Sequence, residues 1–264
     1  MPPIRNLETY NARMSQSLWD KAFFADKIPG AKLVIDYGCA DGSLMNFIQS
    51  NFPDFMTVGL DANEDMVKLA REKGLSAFTD CASVLEAVKD VPSREIAVVF
   101  SSVFHEVFHY GYPLDKITSF LRELNPHYIV VRDMMYNEYC SFDDLAPYKA
   151  VAVVENKLPS KQIQDFEKCF GPISKRKNLV HLLLKYRYTD NWDRECPENY
   201  FSYDVLDLLQ LVNADGEYDL FWRAEYVLPW VRHRIMQDFG IELTDVNTHY
   251  QLILKKKQRE LIKI

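Results

Sequence analysis

The chain has 264 residues, 48% of them apolar, and a formal charge of −7. That length allows one large or two small domains with a substantial core. The acidic balance argues against a general nucleic-acid binder, which needs a basic face. The longest apolar runs fall short of the roughly 18 residues of a spanning helix. The charges between Arg5 and Asp26 predict that no signal peptide opens the chain, so a soluble, cytoplasmic protein is the expectation.

The first 28 residues carry a helical pattern, with Tyr10, Met14, Leu18 and Ala22 recurring on one face beside Trp19 and Phe23, up to a stop at Pro29-Gly30. This arm either covers a sheet or closes over a ligand. Next, Leu33-Val-Ile-Asp-Tyr-Gly-Cys-Ala-Asp-Gly42 is an apolar strand running into an acid and a tight small-residue turn, and a helix follows from Ser43. A second apolar strand, Met56-Thr-Val-Gly-Leu60, ends in Asp61. A strand, glycine turn, helix, strand and acid in this order form a nucleoside-binding half of a doubly wound sheet. Glycines there let backbone approach a ligand that a Cβ would exclude, and the second acid can accept from ribose hydroxyls. Ser43 occupies the place where a dinucleotide fingerprint needs its third glycine.

The α/β alternation continues with a helix over 63–73, a short strand over 76–79, and a helix from about 81 to 89. Strands follow at 96–101 and 128–132, with a helix over 114–124 between them. The last two strands are almost uniformly apolar, as parallel strands covered on both faces must be. After Asp133 the alternation breaks into a polar, aromatic and mostly helical stretch to about 201, with helices over 142–157, 160–170 and 179–188. A helix over 203–212, strands over 218–227 and 249–255, and a helix over 229–240 between those strands complete the pattern.

The spacing Asp36-x-Gly38-x-Ala40-x-Gly42 resembles motif I of the class I S-adenosylmethionine-dependent methyltransferases, with alanine at the usual middle glycine. Alanine fits there if its φ is negative. The resemblance covers residues 30–136 well and 203–264 more loosely. It implies an α/β fold: a doubly wound, mostly parallel seven-stranded sheet with an antiparallel last strand and a helical cap insertion. The segments are then an N-terminal arm over 1–29, a core of 30–136 with 202–264, and a cap over 137–201. It also implies S-adenosylmethionine as cofactor, held by Asp36, Gly38, Ala40, Gly42, Asp61 and the adjoining Ala62. Asp80 either receives the adenine amino group or caps the helix behind it.

In this family the end of strand four lines the junction between cofactor methyl group and acceptor. Here that places Ser101 beside the cofactor and His105 and Glu106 as candidate catalytic residues. His105 is either a general base or a residue that holds the loop, and Glu106 could orient its ring or bind an acceptor amine. His105-Glu106-Val-Phe-His109 also spells a zinc-protease pattern, but Tyr110-Gly111-Tyr-Pro113 ends any helix at once, and no metal is expected. The five cysteines show no paired metal spacing. Arg132, with Asp133 at the end of strand five, and Tyr186, Arg187, Tyr188, Trp192 and His249 are candidate substrate-binding residues. The basic runs at 175–177 and 255–257 are taken as solvated surface. Together these readings favour methyl transfer to a small molecule gripped between the sheet edge and the aromatic cap. Methylation of a nucleic acid, and a non-catalytic assembly role, are the alternatives.

Overall fold

The computed structural model describes residues 17–136 and 144–257; most of the N-terminal arm and the first part of the insertion lie outside them. In chain order the elements are α1 (Leu18–Lys21), β1 (Leu33–Tyr37), α2 (Ser43–Asn51), β2 (Met56–Leu60), α3 (Glu64–Glu72), β3 (Ala77–Phe78), α4 (Cys81–Val88) and β4 (Ile96–Ser101). They continue with α5 (Phe104–Tyr110), α6 (Leu114–Leu124), β5 (Tyr128–Met134), α7 (Tyr148–Lys157), α8 (Ser160–Phe170), α9 (Arg176–Lys185) and α10 (Trp192–Glu195). The last are α11 (Val205–Val212), β6 (Tyr218–Tyr226), α12 (Pro229–Phe239) and β7 (His249–Lys256). The described residues form two compact units, one of 17–133, 205–224 and 251–257, the other of 134–136, 144–204 and 225–250.

The first unit is built on a seven-stranded sheet of order β3-β2-β1-β4-β5-β7-β6. β1 pairs in parallel with β2 and β4, and β4 with β5, so the order reverses direction beside β1. Backbone bonds from Met135 to Thr248 and from Lys256 to His127 set β7 antiparallel to β5. β4 and the first six residues of β5 are buried throughout, which is why their sequences do not alternate. On one face, Val34, Ala97, Val99, Tyr128 and Val130 pack with Leu44 and Ile48 of α2 and with Ala22, Phe24 and Ile28. On the other, the rings of Tyr37, Phe100, Phe104 and Phe120 pack against one another at tilted angles.

The second unit has its own core, in which Val154, Phe166, Leu182, Leu183 and Ile235 are wholly or almost wholly shielded from water. Lys185 is buried there, its ammonium donating to the carbonyls of Glu195 (2.8 Å) and Glu198 (2.5 Å) beneath the Tyr200 ring.

Three local expectations change. Within residues 17–28, the described part of the predicted helical arm, the helix is a single turn, because Ala22, Phe24 and Ile28 all turn inward, a spacing no straight helix provides. α9 begins three residues before the predicted 179: Asn178, polar but buried, donates to the carbonyls of Phe170 and Pro172 and so escapes an apolar count. The basic run at 175–177 is half-buried rather than solvated, with Arg176 bonded to the Thr244 carbonyl at 2.6 Å.

Gly42 has φ of +75°, and a Cβ there would collide with the Leu75 side chain and lie 3.1 Å from Ala70 Cβ. Gly42→Ala is expected to cost about 1–3 kcal/mol of stability through strain and overpacking, read as a lower urea midpoint at unchanged m-value.

Candidate functional site

The turn after β1 is held from two sides. Gly38 and Cys39 donate their backbone N–H groups to the Leu60 carbonyl, and Asp41 forms a 2.7 Å ion pair with Lys73. Ala40 takes a left-handed φ of +46°, contrary to the negative φ that would suit alanine. Its N–H donates to Asp61 Oδ2 at 2.8 Å, and this bond holds a conformation that alanine adopts only at a cost. The glycines also answer to protein packing: a Cβ on Gly38 would meet Val103 Cγ2 at 2.6 Å. Their expected role of clearing space for a ligand is therefore joined by a steric demand from the fold itself.

A cavity of about 880 Å³ opens beside this turn. Gly38, Asp61, Ala62, Asp80 and Glu106 line it, together with Tyr37, Cys81 and an apolar wall that includes Leu60, Leu85, Val107, Ile117 and Phe120. Asp61 accepts from Ala40 N at Oδ2 and from Asn63 N at Oδ1, so each oxygen keeps an acceptor position for a hydroxyl. Asp80 caps α4, accepting from Ser83 N at 2.8 Å and from Ser83 Oγ at 2.7 Å. The cap was the alternative to adenine binding, and Asp80 nevertheless faces the cavity. The apolar wall suits a planar ring, and the acid at its edge suits a ribose.

Asp36, at the end of β1, is 2% exposed. Burial pushes its carboxyl up to about 7, with Lys21 opposing the rise and Asp61 adding to it. Ser101 ends β4 with a buried hydroxyl that has no hydrogen-bond partner among the described residues. Ser102 follows in a left-handed conformation, φ +61°, a strained link between strand and helix.

His105 is buried at the start of α5. Its Nδ1 lies 2.6 Å from Asp133 Oδ1, and its backbone N donates to Asp133 Oδ2 at 3.2 Å. An acid that orients the ring is thus Asp133, wholly buried on β5, while Glu106 lines the cavity. A carboxylate on Nδ1 fixes the neutral tautomer with its lone pair on Nε2. Arg132, next to Asp133 but on the opposite face of the strand, forms a 2.6 Å pair with Asp20 of α1 and donates to Ser102 Oγ at 2.9 Å. It ties α1 to the strand end, where sequence reasoning offered a substrate contact or a tie to the cap.

The aromatic candidates of the insertion have partners within the second unit. Tyr186 and Arg187 both bond to Asp238 on α12, Arg187 Nε at 2.9 Å. Trp192 packs on the unit's core, and Tyr188 is half-buried, its N–H bonded to the Lys185 carbonyl at 2.9 Å. His249 is buried, with Nδ1 at 2.9 Å from Thr248 Oγ1 and its ring against Tyr226. Packing and pairing inside the second unit account for these side chains.

Residues 34–127 match the family model described as a methyltransferase domain. An uncharacterized methyltransferase of Schizosaccharomyces pombe is 41% identical over 69 residues, which is 26% of this chain and 26% of that protein. The matched stretch therefore spans about a quarter of the length of that curated relative. Among solved structures, the plantazolicin methyltransferase BamL, in complex with a triazolic desmethylPZN analog and SAH, is 11% identical with a TM-score of 0.49, over 96% of this chain and 87% of that one. A SAM dependent methyltransferase from Archaeoglobus fulgidus is 14% identical with a TM-score of 0.47, over 91% of this chain and 93% of that one.

Two outcomes follow for a nucleoside thioether probe, S-adenosylhomocysteine. Asp61→Ala should weaken its binding about tenfold or more, since a charged acceptor for hydroxyls is lost and Ala40 N–H loses its partner; calorimetry reads this directly. Its affinity should also fall as the pH drops through about 7, because protonation would take from Asp36 the charge with which it would hold an ammonium group. An Asp36→Asn variant should bind weakly and lose that pH dependence.

Proposed function

We propose that this chain is a class I methyltransferase that transfers a methyl group from S-adenosylmethionine to a small-molecule acceptor, a reading supported by the match of its residues 34–127 to a methyltransferase-domain model. The motif I resemblance of Asp36, Gly38 and Gly42 implies S-adenosylmethionine as its cofactor. The observation that carries the reading is the coincidence of the family match with a cavity at the reversal point of a parallel sheet, edged by an acid with acceptor positions to spare.

Asp61 would hold the ribose hydroxyls, and the wall of Leu60, Leu85, Val107 and Phe120 the adenine ring. Asp36 would hold the ammonium of the methionine part. When bound, the cofactor supplies an electrophilic methyl group on a positively charged sulfur. The protein's tasks are then to align the acceptor, to exclude water and to remove a proton. His105 is the residue for the last task. Asp133 places the lone pair on Nε2 and would stabilise the imidazolium that forms when His105 takes a proton. A small acceptor is favoured over a nucleic acid because the net charge is −7 and the basic run at 175–177 is half-buried.

Incubating the chain with methyl-labelled S-adenosylmethionine and a fractionated cell extract tests this reading. Label is expected in the small-molecule fraction; label in the nucleic-acid fraction alone would reject the acceptor class. With the acceptor so found, His105→Ala and Asp133→Asn should each slow transfer about 10²- to 10⁴-fold, while S-adenosylhomocysteine affinity changes less than about twofold. Unaltered turnover in both variants would remove the base role.

A further inference from the structure

Around the ends of β1 and β5, two charged pairs are joined by direct contacts. Asp20 pairs with Arg132, and Asp133 with His105. Lys21 of α1 and Asp36 of β1 are 8% and 2% exposed, and among the described residues neither the ammonium nor the carboxylate makes a side-chain hydrogen bond. Lys21 feels Asp36, Asp133 and Asp20 as attractive neighbours and Arg132 as a repulsive one. Burial lowers its ammonium to about 8. An ammonium and a carboxylate taken out of water without hydrogen bonds are costly to keep, and a ligand of the opposite charge order recovers that cost. The headgroup of an α-amino acid has that order: a cation for Asp36 and an anion for Lys21.

We propose that Lys21 binds the α-carboxylate of the cofactor's methionine part, so that α1 is a wall of the cofactor site and not only a cover for the sheet. The inference rests on the cofactor reading above. It explains why Lys21, a residue rarely buried, sits inside on a helix of one turn. It also gives the Asp20–Arg132 pair a purpose. Asp20 Oδ1 lies 3.2 Å from Gln251 Nε2 of β7 as well, so α1 is fastened to two strands and holds Lys21 in place.

Two probes separate the parts of the site: S-adenosylhomocysteine, which carries the amino-acid headgroup, and 5′-methylthioadenosine, which has the same nucleoside and sulfur without it. Calorimetry with the full chain should show Lys21→Met binding S-adenosylhomocysteine about tenfold or more weakly, with 5′-methylthioadenosine changed less than about twofold. The second affinity doubles as a check that the nucleoside site is intact. Lys21→Gln should show the same selective loss, and Lys21→Arg should keep most of the affinity for S-adenosylhomocysteine. Equal weakening of both probes in Lys21→Met and Lys21→Gln, or no weakening of either, would overturn the assignment while leaving the cofactor reading intact. A wild-type chain that binds neither probe would overturn both.

Discussion

The pairing of buried charges at the carboxyl edge of a parallel sheet is the constraint on which the site depends. Parallel strands covered on both faces must be apolar along their length, and β4 and β5 are, so polar groups gather at their ends. There Asp36, Arg132 and Asp133 are each nearly or wholly shielded from water. Each needs a counter-charge, because an isolated buried ion costs several kcal/mol even after relaxation. Arg132 finds Asp20, Asp133 finds His105, and Asp36 is left opposite Lys21. This division separates a structural pair, a pair suited to proton transfer, and a pair whose hydrogen-bonding capacity is unspent.

The same edge carries the strain. Ala40 and Ser102 both have positive φ, one in the turn after β1 and the other after β4. Each is held by a bond from a neighbouring strand end: Asp61 receives the Ala40 N–H, and Arg132 reaches the Ser102 hydroxyl. Left-handed residues of this kind persist where the surroundings over-determine them, and they concentrate where a chain is shaped for binding or catalysis. The side chain that would meet ribose hydroxyls thus also fixes the backbone beside it.

Much of this was legible in the sequence. The alternation of β1, α2, β2 and Asp61 follows from apolar runs and turn residues a few positions apart, and the mostly parallel seven-stranded sheet follows from the family resemblance those residues carry; its strand order does not. The aromatic density from Tyr186 to Trp192 was legible as composition but not as purpose. These side chains meet Asp238 and the core around Leu183, partners that no local pattern announces. The His105–Asp133 and Asp20–Arg132 pairs join residues 28 and 112 positions apart, so the topology brings them together and periodicity does not. Nothing in the sequence around Lys21 signals that it is buried. Only the sharp turn after α1, which drives Ala22 and Phe24 inward, shows that the lysine is buried.

Equilibrium titration of the folded wild-type chain with S-adenosylhomocysteine tests the central claim most directly. The account predicts saturable binding of one ligand per chain in the micromolar range, with a heat-capacity decrease from burial of the adenine against the apolar wall. A chain that is folded by circular dichroism and cooperative unfolding, yet takes up no ligand at millimolar concentration, would contradict it.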